Sequence, residues 1–304
     1  MDEKNIQYTV NLTIDELGDE VFAFVKADYS EMINGILPMI TADFICETDK
    51  FPLQLSEVNM TLIIGNDEWR LIGNLDEFKF NENLLTLYIT LTERDFYFVS
   101  QSNKYLSVSK AIDSLYYGQI DSEITDNTPR ELNQVNSTNY KYLTNILRSM
   151  KSPSIFAYTM NGLKIKNVKS NSVDYDFDPD KDKYYIHERT KDYALERNGY
   201  AESSAIGLFA RDGEKATTLT SWDGIEITHN SDLDDMIENV ITNTKFQKQN
   251  RLVVRLVFQY VPPVQCGDIV RVDIQDIDQT EFVIIERLGL IGKEVKWSYL
   301  LREI

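Results

Sequence analysis

The chain has 304 residues, of which 42 % are hydrophobic and 11 % aromatic, so it can bury an extensive core, and disorder is excluded for most of its length. Its 31 basic and 49 acidic side chains give a formal net charge of −18, and residues 1–100 hold most of the excess, with 6 basic against 19 acidic residues. So acidic a balance argues against general wrapping of nucleic acid and against adhesion to anionic lipid.

The first hundred residues alternate between apolar and polar positions, which is typical of half-buried antiparallel strands. Runs at 58–64 and 84–91 flank a middle strand, with turns at 65–67 and 81–83, so a meander is predicted. Further strands are predicted at 6–12, 21–27 and 41–47. Six or seven strands are enough for a small barrel or sandwich.

The apolar period then changes to that of a helix. Ser107 is a good N-cap for a helix that starts at Val108 and ends before Gly118. After a polar stretch, a second helix is predicted over about 140–151, and a hairpin with its turn at 160–162 follows.

Residues 171–227 are predicted to form short strands joined by loops, and a capping box at Ser231 and Asp234 opens a third helix over 231–247. Alternation then returns. Strands are predicted at 252–260, 268–274, 281–288 and 293–301. A second closed sheet is the expected product.

These elements predict an α+β, mainly β fold with two small antiparallel β-barrel-like domains and a small α/β domain between them. The predicted domains are an N-terminal barrel over 1–102, an α/β domain over 103–170, and a third domain over 171–304 that holds the irregular β segment, the helix at 231–247 and the C-terminal barrel.

No sequence motif identifies an active site. There is no GxGxxG or GxxxxGK[ST] loop and no GxSxG elbow, and the His187–Lys191 segment starts like HExxH but has Lys in place of the second ligand. Cys46 and Cys266 lack CxxC spacing and are predicted to be buried small hydrophobic residues. No catalytic, cofactor-binding or metal residue is therefore assigned, and no cofactor is expected.

Two charged clusters have plain structural interpretations. The aspartate run 174–182 has the spacing of a calcium loop, but Pro179 and Tyr185 stand where an EF-hand needs Gly and Glu, so a solvated strand edge or loop is favoured over a cation site. A basic hairpin of Lys164, Lys166 and Lys169 is predicted to be a solvated face rather than a binding patch.

Two rival functions stay open. A pair of carboxylates could hydrolyse glycans, but 49 acids neither name nor exclude such a pair. A carbohydrate-binding protein would have an aromatic-lined pocket near Trp69, Trp222 or Trp297, whereas we predict that these tryptophans lie in the core or in an interface.

Three stretches carry a resemblance to a known family. They are the strand 84–91 with the helix opening at 107–112, the helix 139–148 with the hairpin after it, and the strand 251–260 with Pro262-Pro263, Gly267–Val272 and Phe282–Arg287. In this order they resemble the hub proteins of phage tails and baseplates, which include the myovirus baseplate hub, the late control gene D products and the hub-like part of type VI secretion spike proteins. Arg287 departs from the pattern, since relatives often carry His there, and residues 171–230 match no part of it.

The resemblance implies a non-enzymatic homotrimer in the virion, assembled in the host cytoplasm, with no membrane partner. Each subunit would contribute two similar barrels, so that three subunits present six to the hexameric tail tube, and a trimeric spike would bind the other side. The tape measure and baseplate wedge proteins are further expected partners, and DNA would pass through the channel in transit. Much of the acidic excess of residues 1–100 is predicted to face that channel or its mouth and to repel phosphate.

Overall fold

A computed structural model describes residues 8–14, 22–33, 35–46, 56–64, 67–123, 132–148, 154–167, 172–178, 181–182, 184–192, 200–202, 209–211, 221–222, 225–226, 251–274, 280–293 and 295–304. Over these ranges the protein is mainly β with three short helices, which confirms the predicted class. No helix in them is long and apolar enough to cross a membrane. The predicted helix at 231–247 and Lys169 lie outside the described residues.

The first part of the chain forms six strands: β1 (Tyr8–Ile14), β2 (Ala23–Met32), β3 (Met39–Ile45), β4 (Glu57–Ile64), β5 (Asp67–Asn81) and β6 (Leu84–Thr90). Strands β4, β5 and β6 form the predicted meander. The long strand β5 pairs with β4 through its first half and with β6 through its second, and the register shifts between Leu75 and Glu77. Such a bulge increases the local bend and twist of a strand.

The α/β unit, residues 94–167, follows with three helices and five strands. They are α1 (Arg94–Tyr97), β7 (Ser100–Tyr105), α2 (Val108–Leu115), β8 (Ile120–Ser122), β9 (Leu132–Thr138), α3 (Asn139–Arg148), β10 (Ser154–Thr159) and β11 (Gly162–Asn167). Ser107 caps α2 as predicted, since its side chain accepts a hydrogen bond from the Lys110 amide. The β10–β11 turn needs Gly162, whose φ is +125° and where a Cβ atom would lie 2.1 Å from the Gln119 carbonyl oxygen. Strand β9 occupies a polar stretch in which the sequence predicted no strand.

The rest of the chain is β structure. Its strands are β12 (Tyr175–Phe177), β13 (Tyr184–Asp192), β14 (Tyr200–Glu202), β15 (Phe209–Arg211), β16 (Ser221–Trp222), β17 (Ile225–Glu226), β18 (Arg251–Phe258), β19 (Ile269–Val272), β20 (Glu281–Ile291) and β21 (Val295–Glu303). Strands β20, β21, β18 and β13 are neighbours in that order, while β19 pairs with β20 and β12 runs parallel to β19.

The predicted pair of closed barrels is not seen in the described residues, where β2 pairs directly with β20 from Ala27–Ile291 to Met32–Glu286. The two β regions thus form one sheet of twelve strands. Ten of them follow the path β1-β4-β5-β6-β3-β2-β20-β21-β18-β13, while β19 branches from β20 and carries β12. No barrel closes within the part described. Alternation in a sequence specifies which residues form a strand and which face they point to, but it does not specify which edges meet.

One hydrophobic core extends beneath both halves of this sheet. It contains Phe44 and Leu87 from the first half and Trp297 and Tyr299 from the second. Cys46 and Cys266 are buried in it and neither forms a disulfide, which confirms that they are buried small residues, as predicted. The α/β unit has a second core of its own, built from apolar faces of α2 and α3 against the β10–β11 hairpin.

Candidate functional site

Among the residues described, no group of three or more His, Cys, Asp and Glu side chains could hold a metal ion. His187 lies on β13 where the register shifts between Ile186 and Glu188, and its side chain lies outside the described ones. The features that join the parts of the fold are instead two buried polar networks.

The first network lies at the seam between the two halves of the sheet, where Glu31 on β2 stands opposite Arg287 on β20. Glu31 is 0 % exposed and its Oε2 lies 3.7 Å from the guanidinium of Arg287, which is also buried. Glu31 accepts hydrogen bonds from the Cys266 amide (2.7 Å), from the Met160 amide (3.4 Å) and from the Tyr29 hydroxyl. One carboxylate thereby connects β2, the turn of the α/β unit and the loop before β19.

Aromatic rings enclose the arginine of this pair. The Arg287 guanidinium lies 4.6 Å from the Trp297 ring centroid and 5.7 Å from that of Tyr299, and its Nε donates a 3.1 Å hydrogen bond to the Tyr299 hydroxyl. Contacts of this kind stabilise a cation that has been removed from water. Burial raises the pKa of Tyr299 to about 12, although the nearby guanidinium opposes the rise. The seam network, which we define as Tyr29, Glu31, Arg287, Trp297 and Tyr299, is therefore a closed polar cluster inside the core.

The second network overturns the prediction of a solvated lysine face. The side chains of Lys164 and Lys166 are each only 7 % exposed. Each of these β11 lysines contacts one carboxylate of the α/β unit and one carboxylate from the part of the chain that follows it. Lys164 contacts Asp268 and lies 3.4 Å from Asp121. The physical reason is that β11 is the central strand between β10 and β8, and its successive residues 163–166 are all buried, so both faces of the strand are covered. A lysine buried there must be paired with an acid.

Lys166 bridges two carboxylates from different parts of the chain. Its Nζ lies 2.8 Å from Asp174 and 3.1 Å from Glu123. Burial alone would lower the pKa of Lys166, but the hydrogen bonds and charges of Asp174 and Glu123 outweigh it and raise that pKa. The charged form is thus the stable one in the folded protein.

The motif Gly267–Val272, which carried part of the family resemblance, joins this second network. Gly267 has φ +88°, a conformation that favours glycine, and Asp268 then accepts a 2.8 Å hydrogen bond from the Gln265 amide while it pairs with Lys164. Burial raises the pKa of Asp268 even though Lys164 opposes the rise. The clamp network, defined as Lys164, Lys166 and their carboxylates Asp121, Glu123, Asp174 and Asp268, fixes the α/β unit to the last part of the chain.

The aspartate run 174–182 is partly as predicted and partly not. Asp176 is exposed, and Phe177 is buried on the opposite side, as the alternation indicated. Asp182, however, is buried and accepts hydrogen bonds from the Tyr175 hydroxyl (3.0 Å) and the Tyr260 hydroxyl (2.8 Å). Together with Asp174 in the clamp network, it makes part of this run a structural anchor rather than a solvated edge.

The tryptophans do not mark a carbohydrate pocket in the described structure. Trp297 is fully buried, as predicted for a core residue. Trp69 lies on β5 and Trp222 on β16, and the side chains of both lie outside the described ones. A cleft of about 390 Å³ between β5 and the α/β unit is lined by Phe96 and Tyr116 among others, and no tryptophan whose side chain is described lines it.

The exposed face of the large sheet carries acids that are matched by neighbouring cations. Asp28 lies 3.6 Å from Lys26, and the same lysine lies 3.6 Å from Asp43 on β3. On β5, Glu68 pairs with Arg70 at 2.8 Å and Glu77 with Lys79 at 3.5 Å. Ion pairs of this kind contribute little stability, but they partly offset the negative charge of these acids.

The sequence did contain a signal for the residues that were missed. Glu31 and Arg287 have opposite charge and both occupy inward positions of alternating strands, in phase with Tyr29 and Gly289. A charged residue at an inward position predicts a buried partner of opposite charge. The alternation alone could not show that these two residues would be each other's partners.

Solved structures with this fold come from phage tails and secretion systems. The 43 kDa tail protein of prophage MuSo2 from Shewanella oneidensis matches with a TM-score of 0.61 and 8 % identity, over 97 % of this chain and 96 % of that one. The E. coli c3393 protein, a type VI secretion component described as structurally similar to the T4 tail proteins gp27 and gp5, matches with a TM-score of 0.59 and 8 % identity, over 97 % and 77 %. A chain of the lidded Francisella PdpA–VgrG complex matches with a TM-score of 0.53 and 11 % identity, over 99 % and 53 %.

No protein-family model and no curated protein matches the chain. At such low identities the structural similarity concerns the fold. At that level the predicted resemblance to phage tail and secretion hub proteins is confirmed over nearly the whole chain.

Proposed function

We propose that the protein is the structural hub of a phage tail or baseplate, a homotrimeric adaptor between the hexameric tail tube and the trimeric central spike. The observation that carries this proposal is the single sheet through which the first and last β regions join, in a fold similar over nearly its whole length to a prophage tail protein. Two β regions in each subunit would let a trimer present six similar units to a sixfold tube.

The proposed role is architectural rather than enzymatic. The two buried networks use their charged groups to hold parts of the chain together, and their carboxylates face lysine or arginine rather than a cleft. We therefore infer that the protein works as a rigid connector in the virion. The match to a chain of the PdpA–VgrG secretion complex supports a spike protein as one partner.

We also propose that the trimer surrounds a channel through which DNA passes, left open or gated by the neighbouring proteins. The paired charges on the described face of the sheet refine the expected acidic lining. Because Asp28, Glu68 and Glu77 each have a cation beside them, an acidic wall would have to come from acids outside these pairs.

Two measurements test the proposal. Size-exclusion chromatography with light scattering should give three times the mass of one 35.2 kDa chain at micromolar concentration, and a strict monomer would count heavily against a hub. Electron microscopy of the protein with its tail tube should show a threefold ring with pseudo-sixfold inner symmetry. The matched test for an enzyme is turbidity loss of purified cell walls, which we expect to be absent.

A further inference from the structure

The cleft between β5 and the α/β unit belongs to neither buried network. It has a volume of about 390 Å³ and an apolar floor, since the lining residues Leu71, Leu91 and Phe96 are each at most 8 % exposed. Two other lining residues are strongly exposed, Ile72 by 54 % and Tyr117 by 65 %. Large apolar side chains exposed together beside a cleft are typical of a contact with another molecule.

Aromatic rings form part of the wall of this cleft. Tyr116 and Tyr117 follow directly after α2, and Phe96 packs edge-to-face against Tyr116 with the ring centroids 5.3 Å apart. The Tyr116 hydroxyl makes no hydrogen bond with any residue that the structure describes. Burial, followed by the negative charge of Glu93, raises the pKa of Tyr116 to about 12, so this hydroxyl stays neutral at ordinary pH. The cleft thus offers ring faces, which attract a cation.

Two charged side chains among those described line the cleft, and only one of them is matched. The Arg70 Nε donates a 2.8 Å hydrogen bond to Glu68, which offsets the charge of this arginine. Glu93 is exposed and makes no ion pair within the described part of the chain. It is the N-cap residue of α1, yet its side chain accepts no cap hydrogen bond. The wall therefore presents an unmatched carboxylate beside aromatic rings, and the net charge of −18 further favours a basic partner.

We propose that this cleft binds an arginine side chain on an exposed segment of a partner protein. The guanidinium pairs with the Glu93 carboxylate and lies against the rings of Tyr116 and Tyr117, while the apolar stem of the arginine contacts Ile72. Arginine is preferred to lysine because its planar guanidinium gives two parallel hydrogen bonds to a carboxylate and stacks on aromatic faces. The cleft lies within one subunit, so this inference does not depend on the proposed trimer.

The experiment places a fluorinated tyrosine at position 117 of the whole chain and follows its fluorine NMR signal. Because Tyr117 is exposed, the label does not disturb the core. The probe is a capped leucine-arginine-leucine peptide, and the matched peptides carry lysine or citrulline, the neutral analogue of arginine, at the centre. We expect the arginine peptide to shift the signal saturably at millimolar concentration, the lysine peptide to bind several-fold more weakly, and the citrulline peptide not to bind measurably. This series needs no variant of the cleft.

A pair of variants then assigns the charge. Glu93→Gln keeps the shape of the side chain, and the control Asp113→Asn removes an exposed acid three residues before Tyr116 that does not line the cleft. We expect Glu93→Gln to weaken binding of the arginine peptide by roughly 10-fold or more, since a hydrogen bond to a charged group is lost, and Asp113→Asn by less than about 2-fold. Thermal unfolding shows whether both variants fold.

Several results would overturn the inference while leaving the structural hub intact. They are an arginine peptide that does not bind at millimolar concentration, lysine or citrulline peptides that bind as tightly as the arginine peptide, and an affinity that Glu93→Gln leaves unchanged.

Discussion

Replacing Glu31 by Gln tests the seam network most directly. The change keeps the shape of the side chain, but it removes the carboxylate that lies 3.7 Å from the buried guanidinium of Arg287, whose side chain is 4 % exposed. It also gives the site an NH2 group where an oxygen accepts from the Tyr29 hydroxyl or the Cys266 amide. Loss of one partner from a buried ion pair costs about 3–5 kcal/mol, and we expect the lower end because the three rings around Arg287 remain.

The assay is equilibrium unfolding in urea at one fixed protein concentration, followed by tryptophan fluorescence, since Trp297 packs against Arg287. Glu77→Gln is the matched control, because Glu77 is exposed and lies 3.5 Å from Lys79, and it should cost no more than about 0.5 kcal/mol. The double variant Glu31→Gln with Arg287→Met should recover at least about 1 kcal/mol relative to the sum of the single changes. If Glu31→Gln lowers the free energy of unfolding by no more than the control does, Glu31 and Arg287 are not coupled in a buried ion pair, and the reasoning is refuted.

Three further predictions concern the clamp network, the packing at the seam and alkaline pH. Lys166→Met should destabilise the protein by about 2 kcal/mol, because it leaves two partly buried carboxylates without their cation, whereas Lys79→Met should be nearly neutral in the same urea titration. Gly289→Ala should cost about 1–3 kcal/mol, since its Cβ would lie 2.6 Å from the buried Trp297 ring, and unchanged thermal stability would contradict that close approach. Folding raises the pKa of Tyr299 to about 12. The contribution of the neutral Tyr299 hydroxyl to folding stability is therefore complete below the pKa of about 10 in the unfolded chain, and it is lost as the pH rises toward 12. Tyrosinate absorbance should show one phenol that titrates late, together with unfolding.

Local structure could be predicted well from the sequence. The alternating runs gave the meander β4–β5–β6, Ser107 gave the start of α2, and the turn at Gly162 gave the β10–β11 hairpin. Each of these depends on neighbouring residues only, so the physical cause is present in a short stretch of sequence.

Long-range pairing could not be predicted in the same way. Lysines spaced two apart on a hairpin are usually solvated, and nothing near Lys164 in the sequence indicates its partner Asp268, which lies far along the chain. The pairing of β2 with β20 could not be predicted either, since the alternation of each strand is equally compatible with pairing inside its own half of the chain. The two networks form where distant segments meet, and a pattern read over ten or twenty residues contains no information about that meeting.

The pairing of β2 with β20 also determines which contacts can form early in folding and which must form late. The partners are far apart in sequence, with Ala27 opposite Ile291 and Met32 opposite Glu286, so β2 is synthesised well before β20. Contacts this remote in sequence form slowly, and until they form β2 presents an open strand edge. Pairing with β20 therefore covers that edge, and a chain that lacked β20 would expose a surface ready to pair with other chains. In this fold, the pairing of β20 with β2 is therefore what protects the β2 edge from pairing with other chains.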